Sequence, residues 1–276
     1  MSTALVLAGG GVTGIAWETG LLLGLRDIGI DVAAEADVII GTSAGSTVGA
    51  QLAVGRDLAD MFARQLDDNH GEISPWIDVD LLTTIFGMMT DGGTDDDSVR
   101  RAIGGLAIGA TTVDEATRRA VIAHRLGTEG WPGRRLVVTA IDAETGEFVT
   151  WDADSGISLV DAVASSCAVP GVWPCVTIKG RRYFDGGLRN SANAFLAEGH
   201  DDVWVLAPLT GGASPAVERE MGQLRAAGAR VRFVQADAEA AAAMGPTVTL
   251  SLMASKNSNV FKESRALTRA AKACSM

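Results

Sequence analysis

The chain has 276 residues, of which 47% are hydrophobic and 21% are charged. This globular composition can bury a large core, and it excludes disorder, collagen and coiled coil as descriptions of the whole chain. The 23 basic and 34 acidic residues give a formal net charge of −11. A net anion lacks the basic surface that binds nucleic-acid phosphates or anionic membranes, so neutral or apolar substrates are the classes left open.

The reactive side chains give no sign of a metal site or of a secreted disulfide framework. The cysteines are three in number and not closely paired: Cys167, Cys175 and Cys274. The histidines are scattered, without the spacing of a zinc site: His70, His124 and His200. The N-terminus carries no basic leader, and no apolar run reaches the roughly 18 residues of a membrane span. We therefore expect a soluble, cytoplasmic protein that uses no metal and no other cofactor.

The first 54 residues alternate between short apolar runs and helical patterns. Ala4 to Ala8 predicts a buried strand, residues 9–14 a glycine loop, and Ile15 to Ile28 a helix that Gly29 ends. Ala36 to Ile40 predicts a second buried strand, followed by a tight turn over residues 41–45 and a helix over 46–54. This alternation is typical of an α/β protein with a parallel, doubly wound sheet.

The middle of the chain, about residues 67–132, is mixed in polarity and predicts a mostly helical, cap-like excursion. It contains an apolar cluster at residues 81–89 and an acidic run at Asp95–Asp97, which lacks the spacing of a calcium loop and indicates a solvated turn or helix start. We interpret the apolar cluster either as the core of this excursion or as the lining of an acyl pocket. The predicted elements of the remaining chain are strands at 135–141, 148–151, 175–178, 182–184, 203–207 and 230–235, and helices at 159–165, 237–244 and 259–273. We find neither a repeat nor a linker, which favours one domain over residues 1–276.

The strongest local motif is Gly41-Thr42-Ser43-Ala44-Gly45, which matches the nucleophile elbow Gly-x-Ser-x-Gly. It follows a predicted buried strand and precedes a predicted helix, the context that this motif requires. The flanking residues must be small because the chain packs tightly on both sides of the serine. The positive end of the helix then faces the hydroxyl and any oxyanion formed there. Ser43 is therefore the candidate nucleophile.

A serine nucleophile needs a base, and two residue types compete for that role. Each histidine occupies a position typical of the surface, and none directly follows a predicted buried strand. Asp185, in contrast, follows the strand-like Arg182–Phe184 and precedes two glycines, which allow a close approach of the backbone. A simple Asp-Gly turn explains the same residues.

The glycine loop Gly9-Gly10-Gly11 also has two interpretations. Consecutive glycines between a strand and a helix expose N–H groups that can bind an oxyanion. The pattern Gly9-x-Gly11-x-x-Gly14 also fits the dinucleotide fingerprint, which requires an acid at the end of the second strand. The nearby acids, Glu35 and Asp37, precede or open that strand, which disfavours a dinucleotide.

These pieces, in this order, resemble the patatin-like phospholipases. The resemblance includes the block Ala164-Ser165-Ser166-Cys167-Ala168-Val169-Pro170-Gly171, similar to the Ala-Ser-x-x-x-Pro of that family, and it extends from Ala4 to about Leu209. It implies a three-layer α/β/α fold with a mostly parallel central sheet and a mostly helical cap-like insertion. It also implies a lipid acyl hydrolase acting on acyl esters, with no nucleic-acid partner and with any membrane-surface contact transient; the oligomeric state is left open.

The resemblance further implies a role for each motif residue. Ser43 and Asp185 would form a catalytic dyad, and the N–H groups of Gly10, Gly11 and Ala44 would form the oxyanion hole. The supporting positions are the glycines Gly9, Gly14, Gly41, Gly45, Gly186 and Gly187.

Two departures from the family pattern bear on the substrate. Thr13 stands where the family usually has Arg or Lys, which weakens the expectation of phospholipid head-group recognition. Residues 191–193, Ser-Ala-Asn, stand where related chains commonly carry a proline. Two alternatives therefore stay open beside ester hydrolysis: acyl transfer through the same acyl-enzyme, and a non-catalytic acyl-binding protein.

Overall fold

The fold of this computed structural model is described for residues 1–66, 73, 75–92, 96–208 and 214–244. Within these ranges it has a central sheet with helices on both faces. The strands are β1 (Thr3–Leu7), β2 (Val38–Gly41), β3 (Leu136–Asp142), β4 (Phe148–Trp151), β5 (Val176–Ile178), β6 (Arg181–Asp185), β7 (Asp202–Ala207) and β8 (Arg230–Gln235). The helices are α1 (Gly11–Asp27), α2 (Val32–Glu35), α3 (Ala44–Ala53), α4 (Leu58–Gln65), α5 (Val79–Gly92), α6 (Asp97–Gly109), α7 (Glu115–Leu126), α8 (Leu159–Ser166), α9 (Pro215–Ala226) and α10 (Ala238–Ala243).

The sheet has a parallel half and an antiparallel half. Its order is β5-β6-β3-β2-β1-β7-β8, and β4 pairs with β3. Strands β3, β2, β1, β7 and β8 are parallel to their neighbours, whereas β4 and β6 run antiparallel to β3 and β5 runs antiparallel to β6. The prediction of a mostly parallel central sheet is therefore confirmed, with an antiparallel extension at one edge.

Alternating side chains of β1 enter two different cores. Leu5 and Leu7 belong to the larger core, which also contains buried side chains of α1, α3 and α8. Ala4 and Val6 belong to a second core, which contains buried side chains of α9. Because successive residues of a strand point to opposite faces, this division shows that the sheet is covered on both sides. The expected three-layer arrangement is present.

The segment predicted as a cap-like excursion is helical in its described residues, which form α5, α6 and α7. Ile85, Ile103 and Ile122 are buried, and they belong to the same core as Leu5 and Leu7. These helices therefore lie on the face of the sheet that α3 and α8 cover, where α7 contacts α3 and α8 and α6 contacts β3 and β6. Their action as a cap over a substrate stays a prediction.

Several predicted boundaries were wrong in the glycine-rich turns. Helix α1 begins at Gly11, inside the predicted loop, and α3 begins at Ala44, inside the predicted turn. Only residues 8–10 separate β1 from α1, and only residues 42–43 separate β2 from α3, because the glycines let the backbone turn without a side chain in the way. The short helix α2 was not predicted. Predictions for His70, Asp95, Cys274 and the helix at 259–273 fall outside the described residues.

In the described ranges, the longest and most apolar helices still fall short of what a bilayer crossing requires.

Candidate active site

Ser43 occupies the sharp turn between β2 and α3. Its backbone has φ 53° and ψ −115°, a conformation that is rare for any residue other than glycine. Ser43 is also the N-cap of α3, but its side chain makes no capping hydrogen bond. The hydroxyl is therefore not used by the helix that follows it, as a nucleophile elbow requires.

The glycines on both sides of Ser43 are required by close packing. A methyl group on Gly45 would overlap the carbonyl group of Leu7, and one on Gly41 would overlap the backbone of Ser46. In both cases the obstacle is backbone, which cannot move aside as the end of a flexible side chain could. The sequence argument that this turn needs small residues is thus confirmed at both positions.

Asp185 ends β6, which runs antiparallel to β3 and places Asp185 opposite Ala140. The residue is only 2% exposed. Its Oδ1 atom accepts a hydrogen bond from the Gly187 N–H at 2.8 Å, and the Ser43 hydroxyl is near enough to lower the pKa of the carboxyl. The structure therefore brings together the two residues expected to form a dyad.

The buried position changes the acidity of Asp185. Burial raises the pKa of its carboxyl from the ordinary value to about 7, while the hydrogen bonds from Ser43 and Gly187 act in the opposite direction. A carboxylate with a pKa near 7 is a far stronger base than an exposed aspartate. It can accept a proton from a serine hydroxyl near neutral pH.

The end of helix α8 holds both members of this pair. The N–H of Ser43 donates to Ser166 Oγ at 2.9 Å, and the thiol of Cys167 donates to the Ser43 carbonyl at 3.2 Å. The N–H of Asp185 donates to the carbonyl of Ala168 at 3.2 Å. These three residues belong to the Ala-Ser-x-x-x-Pro block. The sequence indicated the block but not which of its atoms contact the dyad.

The thiol of Cys167 acts as a donor because it stays protonated. Burial raises its pKa above the ordinary value, and the charge of Asp185 raises it further. Cys167 is therefore a poor nucleophile at neutral pH. Its contact with the Ser43 carbonyl explains its position beside the elbow.

Two helices begin beside Ser43, and the first N–H groups of each have no carbonyl acceptor within the helix. Gly11 and Ala44 are the first residues of α1 and α3, and the first N–H groups of a helix have no intrahelical acceptor. Neither N-cap residue, Gly10 or Ser43, supplies a side-chain hydrogen bond to them. The arrangement can therefore bind an anion next to the Ser43 hydroxyl.

The glycine loop lies close to the elbow, and a side chain is blocked at Gly10 and tightly confined at Gly14. A methyl group on Gly9 would lie 3.5 Å from Ser43 Cβ, and one on Gly14 would lie 3.3 Å from Ala44 Cβ. A methyl group on Gly10 would overlap the ring of Pro208, which follows β7. The supporting glycines of the loop thus lie where the sequence placed them, against the candidate nucleophile.

Thr13, the departure from the family pattern, is buried in the first turn of α1. Its hydroxyl donates to the carbonyl of Gly10 at 3.3 Å. The side chain therefore supports the backbone of the glycine loop, and it cannot supply the positive charge that Arg or Lys would supply at this position.

The described histidines lie away from Ser43. His200 contacts the carbonyl of Ala197 just before β7 begins, which is the edge of the sheet opposite to the elbow. His124 is exposed in the last turn of α7. The backbone carbonyl of the next residue, Arg125, accepts from the Gln51 side chain near the C-terminal end of α3. A His-based triad is therefore not formed by either residue. Among the described residues, no cluster of three or more potential metal ligands occurs.

The acids considered for dinucleotide binding lie at the wrong edge of the sheet. Asp37 precedes β2, where its carboxylate accepts from the Thr3 N–H at 2.7 Å, and Glu35 ends α2. Both positions are at the N-terminal edge of the parallel strands, whereas the glycine loop is at the opposite edge. The dinucleotide interpretation therefore lacks its ribose-binding acid at the expected position.

The apolar cluster at residues 81–89 supplies two side chains to the core, and its role as the lining of an acyl pocket stays a prediction. Leu82 and Ile85 are fully buried, so these two side chains belong to the core. Leu81 contacts Gly171 at the end of the Ala-Ser-x-x-x-Pro block, and the Asp78 N–H donates to the Gly171 carbonyl at 3.3 Å. The beginning of α5 is therefore attached to the segment that holds the dyad.

Sequence reasoning missed a second buried carboxyl, Glu18 of α1. It is 0% exposed, and neither carboxyl oxygen has a hydrogen-bond partner in the described part of the chain. Burial raises the pKa of Glu18 well above the ordinary value, and the backbone of Ala8 lowers that pKa by a smaller amount. The Ala8 N–H donates its hydrogen bond to the Leu206 carbonyl. The position of Glu18 three residues after Ile15 and four before Leu22 could have indicated a buried face.

The family model described as patatin-like phospholipase matches residues 5–197. No curated protein sequence matches the chain significantly.

Among solved structures, the chain is similar to VipD from Legionella pneumophila, with 14% identity and a TM-score of 0.45 over 98% of this chain and 67% of that one. It is also similar to the type III effector protein ExoU, with 17% identity and a TM-score of 0.43 over 99% of this chain and 52% of that one. The chain thus spans about half the length of ExoU, and similarities this distant carry no argument about function. The family match, which covers most of the chain and both members of the Ser43–Asp185 pair, is the finding that assigns it. The chain belongs to the patatin-like phospholipase family.

Proposed function

We propose that this protein is a serine acyl hydrolase that cleaves carboxylic esters of lipids through Ser43 and Asp185. Membership of the family supports lipid acyl hydrolysis in general terms. The observation that carries the finer proposal is the buried Asp185 carboxyl beside the Ser43 hydroxyl, with a pKa that burial raises to about 7.

In the proposed reaction, the Ser43 oxygen attacks the ester carbonyl carbon while Asp185 accepts the hydroxyl proton. The N–H groups of Gly10, Gly11 and Ala44 stabilise the oxyanion of the tetrahedral intermediate. The carbon–oxygen bond of the leaving alcohol then breaks, and Asp185 returns the proton to that alcohol. Water repeats the sequence on the acyl-enzyme and releases the free acid.

The strained backbone of Ser43 supports this role for its side chain. A non-glycine residue with φ 53° costs folding free energy, of order 1–3 kcal/mol, and persists only where the surrounding structure imposes it. Here hydrogen bonds hold Ser43 on both sides. Its N–H donates to Ser166 Oγ, and its carbonyl accepts from the Cys167 thiol and the Ser46 hydroxyl. This backbone keeps Ser43 at the N-terminus of α3, beside Asp185.

The direct test is ester hydrolysis over a chain-length series of p-nitrophenyl esters. We expect wild type to be active, and Ser43→Ala and Asp185→Asn to lose activity by about 10²–10⁴-fold or more while staying folded. Matched controls are Ser98→Ala and Asp154→Asn, which change the same residue types at exposed positions. Inactive wild type on every ester would contradict the proposal. Transfer of the acyl group to an added alcohol, with no free acid formed, would favour the acyltransferase alternative.

A further inference from the structure

The turn formed by residues 190–193 contacts three parts of the candidate site. The carbonyl of Ser191 accepts from the Gly9 N–H of the glycine loop at 2.8 Å. The amide nitrogen of Asn193 donates to Thr42 Oγ1 at 3.1 Å and contacts the Gly186 carbonyl at 3.4 Å. Thr42 directly precedes the candidate nucleophile, and Gly186 directly follows the candidate base. One turn therefore connects the loop, the elbow and the base.

The amide of Asn193 can adopt only one orientation. Its Oδ1 atom accepts from Arg189 Nη1 at 3.0 Å, and a guanidinium group can only donate. Its Nδ2 atom faces the carbonyls of Asn190, at 2.7 Å, and of Gly186, which can only accept. Arg189 is itself held by an ion pair with Glu220 at 2.9 Å. The donor end of the amide therefore stays directed at Thr42.

The backbone of Asn193 is as specific as its side chain. It has φ 51° and ψ 43°, the left-handed conformation that asparagine tolerates better than most residues, and it is 0% exposed. Proline cannot adopt this conformation, because its ring fixes φ near −65°. A proline, which related chains commonly carry within residues 191–193, is therefore incompatible with position 193 as this chain folds.

We propose that Asn193 is a positioning residue that holds the elbow and the base loop of this chain at a fixed separation. The hydroxyl of Thr42 also contacts the hydroxyl of Thr139 at 2.9 Å, and a methyl group on Gly186 would overlap Thr139. The buried chain Asn193–Thr42–Thr139 thus fixes the residue next to each member of the dyad. This inference rests on the proposed function and names a residue that the family motifs leave without a role.

The direct test is Asn193→Gly, which removes the amide but keeps a backbone that adopts φ 51° without strain. We expect the rate of fluorophosphonate labelling at Ser43 and the kcat for a p-nitrophenyl ester to fall by about 10- to 100-fold, because a small displacement of reacting groups is costly. KM should stay within about threefold, since no substrate contact is removed. The matched control is Lys179→Gly, an exposed residue with φ 50° between β5 and β6, which should match wild type.

Substitutions at Thr42 test the contact from its other end and do not depend on how well Asn193→Gly folds; combined with Asn193→Gly they complete a double-mutant cycle. Thr42→Val removes the hydroxyl that accepts from Asn193, while Thr42→Ser keeps it. We expect Thr42→Val to lower the labelling rate as Asn193→Gly does, Thr42→Ser to restore most of it, and the double variant to be no slower than the slower single variant.

Two results would overturn the inference: unchanged kcat and labelling in folded Asn193→Gly, or strictly additive effects of the two substitutions. Absence of labelling and of ester hydrolysis in wild type is a different outcome, because it contradicts the proposed function itself.

Discussion

Two carboxyl groups, Asp185 and Glu18, are both buried in this protein, and burial raises the pKa of both. They differ in their hydrogen bonds. Asp185 accepts from the Gly187 N–H and has the Ser43 hydroxyl beside it, whereas Glu18 has no hydrogen-bond partner for either oxygen among the described residues. The comparison shows that burial alone makes a carboxyl hard to ionise. A base also needs donors that keep its charged form accessible and a hydroxyl within reach.

Substitutions of Asp185 and Glu18 should therefore differ in their effect on activity. Both carboxyls, in contrast, should change the free energy of unfolding with pH in the same direction. For Asp185, the unfolded carboxyl titrates near 4 and the folded one at about 7. Between these values the folded state binds more protons than the unfolded state, so the free energy of unfolding falls as pH rises, by up to about 1.4 kcal/mol per pH unit. Glu18 acts in the same direction, because its folded pKa is raised as well.

The largest expected effect is on catalysis. Asp185→Asn should lower kcat/KM by about 10²–10⁴-fold, because it removes the proton acceptor of Ser43. Glu18→Gln should stay within about threefold of wild type, since no hydrogen bond joins the carboxyl of Glu18 to Ser43 or Asp185. Steady-state kinetics on one soluble ester measure both. Equal losses in the two variants would mean that burial, and not the dyad, determines activity.

The pH profile gives the second expected difference. Asp185 must be deprotonated to accept a proton, so kcat/KM should rise with pH and level off above about 7, where the pKa of Asp185 lies. Below that value it should fall about tenfold per pH unit. Glu18→Gln should leave the midpoint unchanged. A profile that is flat between pH 5 and 8 would show that no group with the pKa of Asp185 limits the reaction.

Removal of a buried carboxyl should raise the free energy of unfolding, even where it lowers activity. Glu18→Met replaces an unpartnered buried carboxyl with an apolar side chain of similar length, and it should raise the free energy of unfolding at pH 8 by about 1–3 kcal/mol. Asp185→Asn should raise it less, because hydrogen bonds already stabilise the charged form of Asp185. Urea unfolding at pH 5 and pH 8 measures both effects. The gain from Glu18→Met should shrink at the lower pH; a loss of stability at pH 8 would contradict this account.

The smallest expected effect is a rise in the pKa of Asp185 when the Ser43 hydroxyl is removed, which leaves Asp185 with fewer donors and in that respect more like Glu18. Ser43→Ala removes one of the two donors, so the pKa of Asp185 should rise above its wild-type value of about 7. Carbon-13 NMR of the aspartate carboxyls, with Asp185→Asn to assign the signal, follows this titration. An unchanged or lower pKa would show that the Ser43 hydroxyl does not bond to the carboxylate in solution.

The sequence was most informative where a requirement is local. The small residues of the elbow follow from the sharp turn at Ser43, and the clashes at Gly41 and Gly45 confirm that reasoning. The parallel sheet followed from alternating apolar runs and helical patterns. The boundaries of α1 and α3 were wrong because glycines that are usually loop residues here begin helices.

Contacts between distant parts of the chain could not be predicted in the same way. Asp185 was found by its resemblance to a family motif, and from the residues alone an Asp-Gly turn explained it equally well. No local pattern shows that Asn193 contacts Thr42 or that Ser166 accepts from Ser43. Glu18 is a partial exception, because helical spacing places it on the same face as Ile15 and Leu22.

The central claim is that Asp185 activates Ser43, and fluorophosphonate labelling as a function of pH tests it most directly. The account predicts a label on Ser43, located by peptide mass spectrometry, with a rate that falls below the pKa of Asp185, about 7. In Asp185→Asn the rate should fall by at least about 10²-fold and lose this pH dependence. A label on another residue, or an Asp185→Asn variant that labels at the wild-type rate, would contradict the claim.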